Sequence, residues 1–84
     1  MNKKALVEIY VPATGDTYDV FIPYASKMAE VVLLVAAAIN DLSQGKFEAK
    51  SDAVLCDADT GTIYNAGMTV LELNISNGSR LMLI

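Results

Sequence analysis

Two stretches near the start of the chain constrain the fold more than any other feature. Apolar residues occupy every second position in Leu6–Val11 and again in Thr17–Ile22. A period of two with β-branched residues is typical of a strand that has one buried face. Pro and Gly lie in the segment between them, Pro12–Asp16, which is typical of a turn. The sequence therefore predicts a β-hairpin, whose second strand ends at Pro23 because proline has no N–H to donate.

The segment after the hairpin has the spacing of an amphipathic helix. Ser26 is a candidate N-cap, and Gly45 suits a left-handed position after the last turn. One arc of the helix is predicted to face the core, formed by Met28, Val31, Val32, Val35, Ala38, Ile39 and Leu42. The run Val31–Val35 is also compatible with a buried strand, but the length of the pattern and the alanines that follow favour a helix.

The second half of the chain contains shorter elements. A polar connector over residues 46–52 precedes a strand at Ala53–Cys56, a turn at Asp57–Gly61, a stub of strand at Thr62–Tyr64 and a short helical turn within Thr69–Ile75. A last strand is predicted at the end of the chain, through Leu81, Leu83 and Ile84. We expect one α+β domain over residues 1–84, in which the helix covers one face of a mixed sheet of four to five strands. This is the β-grasp arrangement.

Composition excludes several classes of function. The chain has no histidine and one cysteine, so it lacks the residues for a Ser-His-Asp triad, a Cys-His pair or a cysteine-rich zinc site. Asp57, Asp59 and Gly61 do not have the spacing of an EF-hand loop, and we interpret them as a turn. The net charge of −4 argues against binding to nucleic acid or anionic lipid. We expect a protein that is not an enzyme, binds no cofactor or metal and is not inserted in a membrane, since its longest apolar run, Val31–Ile39, is too short to span one.

Two parts of the chain carry a resemblance to known families. The stretch Thr69–Ile84 resembles the end of ubiquitin, and the apolar spacing from Val20 to Val35 also fits that family. Thr17–Pro23 followed by a strongly apolar helix is similar to the YukD/EsaB-type ubiquitin-like proteins of bacterial type VII secretion loci. The ending Asn77–Leu81 is like the Gly-Asp-x-Leu ending of the same proteins, with Ser79 in place of the acid. The resemblance implies a ubiquitin-like β-grasp fold.

The resemblance also implies a function. It suggests a cytoplasmic protein-binding module, an accessory or regulatory component of a type VII-like secretion system that docks on a membrane-associated secretion component or its ATPase. Conjugation is not expected, because ubiquitin-like modifiers and sulfur carriers need a Gly-Gly tail and this sequence reaches Ile84 without one. A sulfur carrier or modifier with such a tail, and a small self-associating structural domain, remain as alternatives.

Strand alternation predicts the surface that meets the partner. We expect one side of the sheet to face the helix, through Val7, Ile9, Val54, Cys56, Leu81 and Leu83. Alternation then puts Leu6, Tyr10, Leu55, Met82 and Ile84 on the other side, here called the open face. The predicted partner site consists of Tyr10, Leu55, Met82 and Ile84. A second candidate interface lies on the back of the helix, at Leu33, Leu34 and Ala37, and would suit a homo-oligomer. Cys56 is predicted to be a buried structural thiol rather than a nucleophile.

Overall fold

The structure, a computed structural model, describes residues 3–84, so the first two residues of the predicted domain lie outside it. In chain order it contains the strands β1 (Lys4–Val11) and β2 (Asp16–Pro23), the helix α1 (Met28–Leu42), and the strands β3 (Leu55–Asp57) and β4 (Arg80–Leu83). The strands form one sheet in the order β2-β1-β4-β3. β1 is antiparallel to β2 and parallel to β4, and β4 is antiparallel to β3. The predicted mixed sheet with one main helix is confirmed.

The hairpin forms where the alternation predicts it. In β1 every second side chain is buried, beginning at Ala5 and ending at Val11. The turn closes through the Gly15 N–H, which donates to the Val11 carbonyl at 2.8 Å. Gly15 has a φ of +72°, a left-handed conformation that glycine adopts without the steric cost of a side chain. The buried side chains of both strands face α1 and form the sheet's half of the core.

The helix buries a narrower face than the sequence predicts. Met28, Val31, Val35 and Ile39 are fully buried, whereas Val32 and Ala38 are half-buried. Leu42 was expected in the core but is exposed, because it is the last residue of the helix. Several of these core side chains are β-branched, and the helical interpretation of this segment is confirmed.

The start of the helix differs from the prediction. The N-cap position is held by Lys27 rather than Ser26, and no side chain caps it. The first helical N–H groups are satisfied by a distant segment instead, since Met28 donates to the Met68 carbonyl at 2.9 Å and Ala29 to the Ala66 carbonyl at 3.1 Å. A backbone partner that is remote in sequence therefore replaces the side-chain cap.

Phe47 closes the core beyond the end of the helix. It is buried although it lies in the connector that we predicted to be polar. The Asn40 side-chain N–H donates to the Phe47 carbonyl at 2.8 Å, and the Phe47 N–H donates to Ser43 Oγ at 3.1 Å. Gly45, predicted to be left-handed, has a φ of +80°. This turn places the Phe47 ring against the core, near the end of the helix where Leu42 is exposed.

Candidate protein-binding surface

One row of side chains crosses the whole sheet on the open face. Tyr10 lies opposite Thr17 on one side and Met82 on the other. Met82 lies opposite Cys56, and Cys56 forms a bridge to Ile63 outside the named strands. Paired residues of neighbouring strands share a face, so these five side chains stand in one line. Tyr10, next to the end of the row at Thr17, is 40% exposed, and Ile63, at the other end, is 60% exposed.

Ile84 extends this surface past the end of β4. Its N–H donates to the Val54 carbonyl at 3.0 Å, and its carbonyl accepts the Val54 N–H at 2.9 Å. Because Ile84 is two residues from Met82, it lies on the same face. Its side chain is exposed. Tyr10, Met82 and Ile84 therefore lie on the open face, and their contact with a partner stays a prediction.

The prediction that Leu55 lies on this face is wrong. Leu55 is only 2% exposed, and its partner across the ladder is Leu83, which is also buried in the core. The neighbouring Cys56 takes the outward position that we assigned to Leu55. Both residues are buried, and β3 has only three residues, so alternation in the sequence does not show which of the two faces the helix.

Three exposed apolar residues of the open face, Leu6, Phe21 and Ile63, were not among the predicted site residues. Phe21 lies opposite Leu6 on β2, and both side chains are exposed. The alternation of β2 does put Phe21 on this side, so a signal for it exists in the sequence. Ile63 has no such signal, because its position depends on a single bridge to Cys56.

Acidic groups occupy the middle of the open face. Glu8 lies directly opposite Asp19 on β2 and opposite Arg80 on β4. The Arg80 guanidinium is 3.4 Å from an Asp59 carboxylate oxygen, and both side chains are well exposed. Two like charges opposite each other destabilise a strand pair. The open face thus presents apolar side chains at two ends and net negative charge between them.

Two groups with raised pKa values lie at the β3 side of the sheet. Burial, together with the nearby Asp57 carboxylate, raises the pKa of the Cys56 thiol. Burial and Asp57 also raise the pKa of Tyr64 to about 12. Both groups are therefore protonated at neutral pH, and Cys56 is not a thiolate.

The Asp57–Gly61 segment is the turn that we predicted. Asp57 Oδ1 accepts the N–H groups of Asp59 at 2.8 Å and Thr60 at 3.2 Å. An aspartate that accepts from the backbone two residues ahead is a common turn-forming arrangement. Within residues 3–84 no group of three or more His, Cys, Asp or Glu side chains is placed to hold a metal ion.

The back of the helix, where we predicted a second interface, is exposed. Leu33 is 73% exposed, Leu34 is partly exposed, and Ala37 lies beside them on the solvent side. Leu33 borders a shallow groove between α1 and the residues that lead into β3, including Val54. These three residues form one surface, separate from the open face. In the part of the chain described, no helix is both long enough and apolar enough to cross a membrane.

Comparison with known proteins identifies the fold. No protein-family model and no curated protein matches the sequence. Among solved structures, the chain is similar to the ubiquitin-like domain of the Mycobacterium tuberculosis type VII secretion system protein ECCD1. The two are 16% identical with a TM-score of 0.75, over 100% of this chain and 99% of that one. A chain of the ESX-5 inner membrane complex matches at 18% identity and a TM-score of 0.72, over 99% of this chain and 21% of that chain.

A third similar structure belongs to a different kind of assembly. A chain of the toluene 4-monooxygenase HD complex is 11% identical, with a TM-score of 0.77 over 95% of each chain. One fold thus serves proteins with different functions, and similarity at this level of identity concerns the fold alone. This chain has the ubiquitin-like β-grasp fold of the α+β class.

Proposed function

We propose that this chain is a non-enzymatic, cytoplasmic protein-binding module that serves as an accessory or regulatory component of a type VII-like secretion system. Its open face docks on a membrane-associated secretion component or on the secretion ATPase. No conjugation to a target is involved in this proposal.

The observation that carries the proposal is the composition of the open face. Tyr10 and Met82 lie opposite each other on the paired strands β1 and β4, Ile84 follows β4, and Ile63 joins this face through its bridge to Cys56. Tyrosine provides a large rigid contact area, and methionine adapts its shape to a partner. Residues of these types commonly supply a large share of the binding free energy at protein interfaces.

Two further observations support the link to secretion. The TM-scores place the fold close to a ubiquitin-like domain of a type VII secretion protein and to a chain of an inner membrane secretion complex. Thr17–Pro23 and the apolar helix after it provide the sequence resemblance to proteins of such loci. The fold and the sequence patterns therefore favour the same class of system.

The test is co-purification with the secretion ATPase and the membrane component of the same locus. Tyr10→Ala and Ile84→Asp should each abolish capture, because one removes the aromatic contact and the other buries an unpaired charge. Both positions are exposed, so thermal unfolding should stay close to that of the unchanged protein. The matched control is Leu33→Asp, which places the same charge on the back of the helix.

A second candidate function is self-association through the back of the helix. The observation in its favour is Leu33, the most exposed of the large apolar side chains. If Leu33→Asp released the partner or dissociated a homodimer while Ile84→Asp had no effect, the interface would lie on the helix. The proposal for the open face would then be wrong.

A further inference from the structure

β2 forms the outer edge of the sheet, and its backbone groups alternate between the two sides of the strand. Along an antiparallel ladder, residue pairs that exchange backbone hydrogen bonds alternate with residue pairs that do not. The Tyr24 N–H donates to the Lys3 carbonyl at 3.0 Å, just beyond the pair Lys4–Pro23. The even-numbered residues of β2 therefore point their backbone groups toward β1. Those of Thr17, Asp19 and Phe21 point away from the sheet.

These outward groups make no hydrogen bond within the described residues. β2 pairs with β1 alone, and none of the hydrogen bonds made by turns or loops reaches the N–H or carbonyl of Thr17, Asp19 or Phe21. Natural proteins protect such edges with proline, bulges or a covering segment. The one proline of β2, Pro23, lies at the end of the strand. Three backbone N–H donors and three carbonyl acceptors of β2 therefore remain free to pair with another strand.

Partly exposed apolar side chains lie beside this edge. The helix α1 has two flanks beside its buried face. One flank, with Ala29 and Val32, faces the segment around Val54 and Leu55. Leu34 and Ala38 lie on the other flank, toward β2, where the helix and this strand are in contact. Both are partly exposed, as is Tyr18 on the helix side of β2. A strand added to the edge would place every second side chain over these apolar groups.

The charge around the edge selects the chemistry of the occupant. Asp16 and Asp19 lie on β2, and Glu30 and Asp41 lie on the flank of α1 that carries Leu34. One of these carboxylates is paired on the surface, since Lys46 Nζ lies 3.9 Å from Asp16 Oδ2. The edge is therefore net negative. A second copy of this chain would bring the same carboxylates together, whereas a segment with Lys or Arg would complement them.

We propose that the free edge of β2 binds an extended segment of a partner protein that has alternating apolar side chains flanked by Lys or Arg. The segment adds a fifth strand to the sheet through the backbone groups of Thr17, Asp19 and Phe21. This site is distinct from the open face and does not depend on the proposed role in secretion.

The first experiment uses a synthetic peptide, acetyl-Lys-Val-Thr-Val-Thr-Val-Lys-amide, and the isotope-labelled protein. At about 1 mM peptide, amide hydrogen exchange at Thr17, Asp19 and Phe21 should slow by about tenfold or more, because these N–H groups become hydrogen-bonded. Unchanged exchange at these positions would overturn the proposal. Sedimentation of the protein alone is run beside it, and a dimer that protects the same amides would show that the occupant is a second copy.

The second experiment removes one backbone donor. Asp19→Pro deletes an outward N–H without removing a hydrogen bond to β1, a position where strands tolerate proline. This substitution should weaken binding of the peptide by at least about tenfold, since the proline ring also blocks close approach of the peptide. Asp19→Asn is the matched control, because it loses the charge and keeps the N–H, and it should weaken binding less. Equal binding by the proline variant and the wild type would contradict the proposal.

The third experiment needs no change in the protein and stays decisive if the proline variant fails to fold. Two N-methylated peptides are compared, one methylated at the valines and the other at the threonines. Only one set of N–H groups can face β2, so one peptide should lose binding and the other should keep it. Equal binding of both would mean that the charges alone hold the peptide, and the added strand would be excluded.

Discussion

Leu55 and Ile63 show how differently apolar residues contribute on the two sides of this sheet. Leu55 packs in the core between the sheet and α1, beside Leu83. Ile63 is largely exposed and reaches the sheet through its bridge to Cys56. The first residue stabilises the fold, and the second is available for a partner.

This difference predicts two changes in stability. Leu55→Ala should lower the free energy of unfolding by about 2–5 kcal/mol, because it removes buried methyl groups and leaves a cavity. Ile63→Ala, the control on the open face, should change it by less than about 0.5 kcal/mol. Chemical denaturation measures both. If the two variants were equally stable, Leu55 would not be in the core.

At the scale of elements, the segment after β3 is held by short-range hydrogen bonds. The Thr69 N–H donates to Glu72 Oε1 at 2.9 Å, and the Glu72 N–H donates to Thr69 Oγ1 at 3.1 Å. This reciprocal pair is a capping box. It starts the turn that carries Val70 and Ile75 into the core.

The capping box predicts a dependence of stability on pH. Hydrogen bonds from Thr69 lower the pKa of Glu72 below its ordinary value of 4.5. A carboxyl with a lowered pKa stabilises the fold above its unfolded pKa, and this contribution is lost as the pH falls through the folded pKa. Wild type should therefore be more stable than Glu72→Gln at neutral pH, and the difference should shrink below pH 4.5. Denaturation at a series of pH values measures this, and a difference that grew on acidification would contradict it.

The sequence predicts the long elements of this fold better than the short ones. β1 and β2 have eight residues each, so their alternation puts Tyr10 on the open face without ambiguity. β3 has three residues, with apolar side chains on both sides, and here the orientation of Leu55 follows from pairing with β4. Phe47 is buried through hydrogen bonds to Asn40 and Ser43, and a local pattern does not reveal such contacts.

On the scale of the whole molecule, one helix covers one side of the sheet, and the apolar residues outside this core form separate surfaces. Hydrophobic residues make up 54% of the chain. Most of the exposed large apolar side chains lie on the open face and on the back of α1. Exposed apolar patches of this kind are typical of interaction sites.

The open face is the surface that we propose to contact the partner in a type VII-like secretion system. The most direct measurement is a nuclear magnetic resonance titration of the isotope-labelled chain with the soluble part of the secretion ATPase, and separately with that of the membrane component. We expect one of the two proteins to shift or broaden the amide signals of Tyr10, Met82 and Ile84, while those of Leu33 and Ala37 stay unchanged. Perturbation confined to Leu33 and Ala37, or none with either protein, would contradict it.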